Sequence, residues 1–264
     1  MKKRSSSFRL SIMLLCISTM LVLFSTLALA QATVPQGPDS ILSTAAGRHQ
    51  NNSESIPVTA QAGNVTALSI THVTSTKSWQ GYYGNVTGTI TLDDANNKTL
   101  YDWSLPDPQG EIYASNFSAV DWTKIYCMNV SHIRNVSGTQ VGAIYYAING
   151  SEIEKKFGIN ETDKDGLNET FNDTFTGSFR TGAITIDSVD GCSMAHPYVN
   201  DTYETSWQEV LLSDNTSIIF TSIVRENGRA YNNASADFQM LVLENGHAGS
   251  ETVSSTYYFF VELT

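Results

Sequence analysis

The chain has 264 residues, with Lys+Arg 15 against Asp+Glu 26, a formal net charge of −11, 41% hydrophobic residues and 16% charged ones. This is a globular composition, which excludes a wholly disordered polymer, and the length gives one domain with a full core or two small ones. Lys2, Lys3, Arg4 and Arg9 lie in the first thirty residues, leaving 11 basic against 26 acidic groups beyond them; nucleic acid is thereby excluded as a partner, because neutralising phosphates needs a basic face.

Residues 1–30 read as a secretory signal peptide: a basic start, an apolar run from Leu10 to Leu27, and the small-x-small site Ala28-Leu29-Ala30 before Gln31. Retention as a signal anchor is the alternative, since the apolar run is just long enough to cross a bilayer. No second apolar span follows, so after cleavage the chain is expected outside the cytoplasm, extracellular or on the cell surface, with no membrane span.

Residues 31–63 are rich in Gln, Ala, Ser, Thr, Pro and Asn and hold no Phe, Trp or Tyr. Such a stretch buries too little to order itself and reads as a disordered N-terminal arm, a flexible linker or stalk. Its scattered apolar residues Val34, Ile41, Leu42, Ile56 and Val58 suit a segment that adds a strand to a neighbour's sheet edge.

From residue 64 to 264 short alternating runs are separated by Gly, Asn, Asp and Pro, the signature of an all-β domain. Strands are expected at 67–73, 79–92, 99–103, 111–114, 124–130 and 142–148, and again at 177–186, 207–212, 217–225, 237–243 and 256–263. In the second of these, Tyr82, Val86, Ile90 and Leu92 share one parity and Asn85, Thr87, Thr89 and Thr91 the other. Between the two sets, Ser151-x-x-Glu154 resembles a capping box opening a short helix to Phe157, stopped by Gly158, and 163–171 adds one more turn. The last strand is apolar on both faces and is expected to be central. The expected fold is a two-sheet sandwich with Greek-key or jelly-roll connections and a helical excursion near 150–176.

Once Cys16 leaves with the signal peptide, Cys127 and Cys192 remain, an even pair in an oxidising compartment, and are expected to be bonded. The alternative, a Cys192/His196 catalytic pair, requires a free thiolate.

Asparagine carries the strongest signal. Beyond residue 30 there are 19, and 14 begin Asn-x-Ser/Thr: Asn51, Asn64, Asn85, Asn97, Asn116, Asn129, Asn135, Asn149, Asn160, Asn168, Asn172, Asn200, Asn215 and Asn233. Ser and Thr fill 50 of those 234 positions, so chance would give about four under the acceptor pattern. The excess predicts a heavily N-glycosylated surface, and a bulky coat of that kind leaves few faces for a deep-binding partner.

Candidate chemistry is sparse. The run Glu161, Asp163, Asp165, Gly166, Glu169 has the alternate-oxygen spacing of a calcium loop, but Asn172 stands where a bidentate Glu is needed. His49, His72, His132, His196 and His247 lack ligand spacing, and no Gly-x-Ser-x-Gly or phosphate loop occurs. No metal, cofactor or enzymatic activity is expected. Trp79 and Tyr83 share parity with Asn85, so a regular strand points both outward as an aromatic contact for sugar or protein.

The signal peptide, the Thr- and Asn-rich arm, clustered sequons such as Asn129-Val-Ser and Asn135-Val-Ser, and the acidic β-rich body resemble secreted archaeal cell-surface glycoproteins. The resemblance implies an archaeal envelope as the setting and brings no activity. The expected role is a non-enzymatic structural component of an envelope layer, filament or contact structure, with self-assembly or surface glycans as partners. A carbohydrate-binding or adhesion module is the alternative, and a secreted hydrolase a third.

Overall fold

The computed structural model describes residues 34–42, 46–48, 55–130, 150–160, 162–244 and 254–263. The expected signal peptide, the strand at 142–148, sequons Asn51, Asn135 and Asn149, and His49, His132 and His247 lie outside the described residues.

Among the described residues the strands are β1 (Trp79–Gly84), β2 (Gly88–Asp93), β3 (Thr99–Leu105), β4 (Gly110–Ser115), β5 (Tyr126–Cys127), β6 (Asp173–Thr174), β7 (Ser178–Thr181), β8 (Ile184–Asp187), β9 (Ser193–Ala195), β10 (Glu209–Ser213), β11 (Ile218–Ile223), β12 (Gly228–Arg229), β13 (Ser235–Ala236), β14 (Phe238–Leu243) and β15 (Tyr258–Leu263). Two short helices, α1 (Gly150–Lys156) and α2 (Leu167–Thr170), fall within the expected excursion.

A seven-stranded antiparallel sheet in the order β15-β4-β11-β10-β9-β6 organises the core, with β5 sharing the far edge of β10 beside β9. Its inner strands are apolar on both sides, as burial on two faces requires. Ile112, Ala114, Leu211 and Phe220 project to one face, where the β1–β14 ribbon supplies Met240 and Val242 and the helical excursion supplies Ile153, Phe157, Leu167 and Phe171. Tyr113, Val210, Leu212 and Ile219 project to the other, covered by Trp122 and Ile125 and by Phe179 and Ile186 of the β7–β8 hairpin. The result is an all-β, sandwich-like fold; each fully buried large apolar side chain in it is worth about 1.5–3 kcal/mol.

Several expected elements change on folding. The run 79–92 breaks after Gly84, because the Asp237 carboxylate accepts a hydrogen bond from the Val86 N–H at 2.8 Å and turns the chain away. β1 then pairs with β14, while β2 leaves to pair with β3 alone. The run 177–186 folds into a hairpin about Gly182, whose φ of 58° suits glycine. Segment 67–73 forms no strand and lies exposed: alternation alone does not pair a segment into a sheet. The stretch 124–130 keeps only the two residues of β5.

β15 stands at the end of the sheet, not at its centre. It pairs with β4 along six residues. Its two apolar faces are satisfied by two layers, with Phe259 and Val261 packing toward one and Phe260 toward the other. Among the described residues its outer side is met at one place, where Gln36 and Val261 exchange hydrogen bonds of 3.1 and 2.8 Å.

Cys127 and Cys192 are bonded, with Cα atoms 4.9 Å apart. Cys127 ends β5 and Cys192 immediately precedes β9, so the bridge ties together the two short strands that share the β10 edge.

Candidate interaction surface

Eleven of the sequon asparagines are described. Asn64, Asn85, Asn97, Asn116, Asn160, Asn172, Asn200 and Asn233 are exposed, and Asn129, Asn168 and Asn215 are half-buried. Four of them, Asn97, Asn200, Asn215 and Asn233, have φ of 58°, 45°, 73° and 67°, the left-handed region that asparagine enters more readily than most residues. They occupy tight turns: Asn97 that of the β2–β3 hairpin, Asn215 that between β10 and β11, and Asn233 that between β12 and β13. The backbone N–H groups of Asn200 and Asn233 both donate to the carbonyl of Ala230, each at 3.0 Å. Sequon and turn thus coincide, and at the exposed Asn97, Asn200 and Asn233 this puts the acceptor amide where a bulky substituent clears the sheet.

Beside that shared carbonyl lies an aromatic surface of which strand alternation marks only Tyr83. Tyr83 meets Tyr231 edge-on at 5.2 Å, and Tyr198 meets Tyr203 at 6.3 Å; all four are exposed. The buried Gln239 joins the two pairs, its Oε1 accepting from the Tyr231 N–H at 2.9 Å and its Nε2 donating to the Tyr198 carbonyl at 3.0 Å. Tyr83 thus faces outward as the alternation predicts, its hydroxyl accepting from Asn232 Nδ2 at 3.2 Å. Trp79 does not. Standing at the first position of β1, it packs on Phe171 and Phe220, and its indole N–H donates to the Asp165 carbonyl at 2.7 Å. The bend before β1, held by Thr76 and Ser78 hydroxyls on the Asp165 carboxylate, turns the ring over the end of the core.

A second apolar surface is the β2–β3 hairpin. Register places Ile90 opposite Trp103 and Leu92 opposite Tyr101, so all four share one face. The Tyr101 and Trp103 rings touch at 4.8 Å while staying 59% and 48% exposed.

The geometry does not form the Cys192/His196 pair. Cys192 is spent in the disulfide. His196 directs Nδ1 at the Trp207 carbonyl at 2.7 Å and Nε2 at the Asp173 carboxylate at 3.1 Å, leaving neither nitrogen for a nucleophile. Asp165 of the acidic run is engaged by Thr76 and Ser78, and Asp163 accepts from the Asn160 N–H at 2.9 Å. Among the described residues, no three His, Cys, Asp or Glu converge as a metal site, and no helix is long and apolar enough to cross a membrane.

Carboxyls are nevertheless buried. Glu209 is fully buried, one oxygen accepting from the Leu241 N–H at 2.8 Å, and burial holds its acid well above the usual range. Glu111 is pushed up to about 8, first by burial and then by the charge of Glu262. Asp214 behaves oppositely: burial pushes it up, but donors from Asp121, Thr216 and Ser217 outweigh that and hold it below its ordinary value.

Comparison with family models, with curated proteins and with solved structures finds no match to this chain.

Proposed function

We propose that this protein is a secreted, N-glycosylated, non-enzymatic structural component of a cell surface, in an envelope layer, filament or contact structure of archaeal type. The carrying observation is the coincidence of sequons with exposed turns: eight of the eleven described acceptors are exposed and none is buried. Exposure meets the steric condition for a glycan, and the excess of 14 acceptors over the roughly four expected by chance separates this chain from one merely rich in Asn, Ser and Thr. The tyrosine surface beside Asn200 and Asn233 supports the same reading, because glycans on those residues would flank it and favour contacts between coated neighbours over capture of a free ligand.

Glycopeptide mapping of the protein secreted by its own host tests this. Occupancy at most of the exposed acceptors is expected, and a mature chain with bare sequons would overturn the reading. A carbohydrate-binding role is the second reading, favoured by the Tyr101–Trp103 face of the β2–β3 hairpin, since half-exposed rings offer a platform for stacking on sugars. It predicts saccharide binding that Trp103→Ala abolishes without changing the thermal midpoint.

A further inference from the structure

The outer edge of β15 ends the seven-stranded sheet on one side, with β6 at the other end. An edge strand presents a row of backbone donors and acceptors that templates pairing with another chain, and β15 is exceptional in being apolar on both faces while Phe259, Phe260, Val261 and Leu263 are only half-buried. One place on this edge already holds a guest. Gln36 forms a two-hydrogen-bond antiparallel bridge with Val261, and the preceding Pro35 is buried.

A long segment separates this guest from the rest of its host. From Gly37 to Ser75 the chain runs 39 residues before Thr76 and Ser78 anchor it on Asp165. Its described positions carry no strand and are exposed apart from the half-buried Pro38 and Ser75. A segment of that length can extend to at most roughly 130 Å, enough to reach a neighbouring molecule. Charge favours such a link. Beyond residue 30 the chain carries a net of −15 and copies repel, yet residues 31–38 and 55–76 contain no Asp, Glu, Lys or Arg.

From this we infer that the arm is exchanged between copies: residues 34–37 of one molecule occupy the β15 edge of the next, and head-to-tail repetition joins subunits into a polymer. The inference rests on the structural role proposed above and names its joint. The contacts made in trans are those already seen within one chain, so exchange sacrifices none of them. Only the tethering term differs, and at the subunit density of a surface layer a neighbour's arm competes with the chain's own. Because a heterologous contact need not close, the product is open-ended.

Co-expression of two full-length variants, Gln36→Cys and Val261→Cys, in one secreting cell tests the exchange. A hydrogen-bonded antiparallel pair holds its Cα atoms about 5.5 Å apart, within disulfide reach, and neither variant has both halves of the new bridge. A disulfide joining the peptide that carries position 36 of one chain to the peptide that carries position 261 of the other is expected, with the double variant giving a ladder of linked species. Absence of the linkage between chains, while the double variant closes internally, would overturn the proposal. Should the double variant close nowhere, a chain lacking residues 31–62 decides: loss of assembly supports the exchange and unchanged assembly refutes it. Bare sequons together with a linkage between chains would remove the glycoprotein reading and leave the exchange standing; occupied sequons without the linkage would do the reverse.

Discussion

Glu111 and Glu262 stand directly opposite each other across β4 and β15, two buried acids only 6% and 8% exposed. Burial raises both, and the Glu262 charge adds to the rise at Glu111; at Glu262, donors from the Gly182 N–H at 2.9 Å and the Tyr113 hydroxyl at 3.4 Å oppose it. A carboxyl whose folded-state pKa lies above its unfolded value contributes stability that is complete below the unfolded value and is lost as pH rises through the folded one. For Glu111 that window runs from 4.5 to about 8, and Glu209 works in the same direction.

The protein is therefore expected to be most stable in mild acid. Between pH 5 and pH 9 the thermal midpoint should fall by roughly 10 °C, taking a loss of order 3–5 kcal/mol at about 2–4 °C per kcal/mol for a domain of this size. Glu111→Gln should remove a large part of that fall by taking away one of the two charges. Below about pH 4 the sign reverses, since Asp214, held below its ordinary value, loses its donors' stabilisation on protonation. Calorimetry across pH on both proteins checks this; a midpoint that rises from pH 5 to pH 9 would contradict it.

The disulfide closes a separation of 65 residues, for which loop-closure entropy gives about 4 kcal/mol of stabilisation. Both cysteines are buried, so thiol reagents should label none in the native protein, and peptide mapping should find Cys127 joined to Cys192. The double change Cys127→Ser with Cys192→Ser should cost about 2–4 kcal/mol in denaturant unfolding.

Gly110 opens β4 with φ of 122°, and a Cβ there would collide with the Glu262 carbonyl oxygen. The obstacle is backbone, so no rotamer relieves it, and β15 would have to move. Gly110→Ala is expected to cost about 3 kcal/mol, at the upper end for overpacking. Truncation after Ser255, which removes β15 whole, should leave the chain aggregated or unfolded by exposing β4 as a bare edge. Recovery of a soluble truncated protein with an unchanged midpoint would show that β15 is not part of the stable sheet.

Turn geometry makes a separate prediction about the sequons. At Asn97, Asn200 and Asn233 the left-handed backbone favours Asn or Gly, so in protein freed of glycans Asn→Gln should cost about 1 kcal/mol and Asn→Gly less. At Asn85 and Asn116, which are not left-handed, Asn→Gln should be nearly neutral. Equal losses at all five positions would show that the turns impose no such demand.

Period-two patterning made the inner strands of the large sheet legible, because they alternate between two covered faces: β4, β10 and β11 lie where the runs at 111–114, 207–212 and 217–225 place them, and β14 of the β1–β14 ribbon lies within 237–243. It failed where partner supply, not pattern, decides. Segment 67–73 alternates as well as many true strands yet pairs with no strand among the described residues, and β15 reads as central because a second layer and a second neighbour look alike in sequence. The Glu111–Glu262 pair was invisible for a simpler reason: the two residues are joined only by tertiary pairing. Likewise, parity pointed Trp79 outward, but the bend set by Asp165 lies far along the chain and could not be read locally. The sequons were fully legible; their coincidence with left-handed turns at Asn97, Asn200, Asn215 and Asn233 was not, since φ depends on the turn that forms.

Electron microscopy of the protein produced by its own cells, at their surface and in the medium, bears most directly on the proposed structural role. Regular polymers or a repeating layer, labelled by an antibody to this chain, are the result expected. A monodisperse monomer free in the medium, with no labelled assembly at the surface, would contradict it.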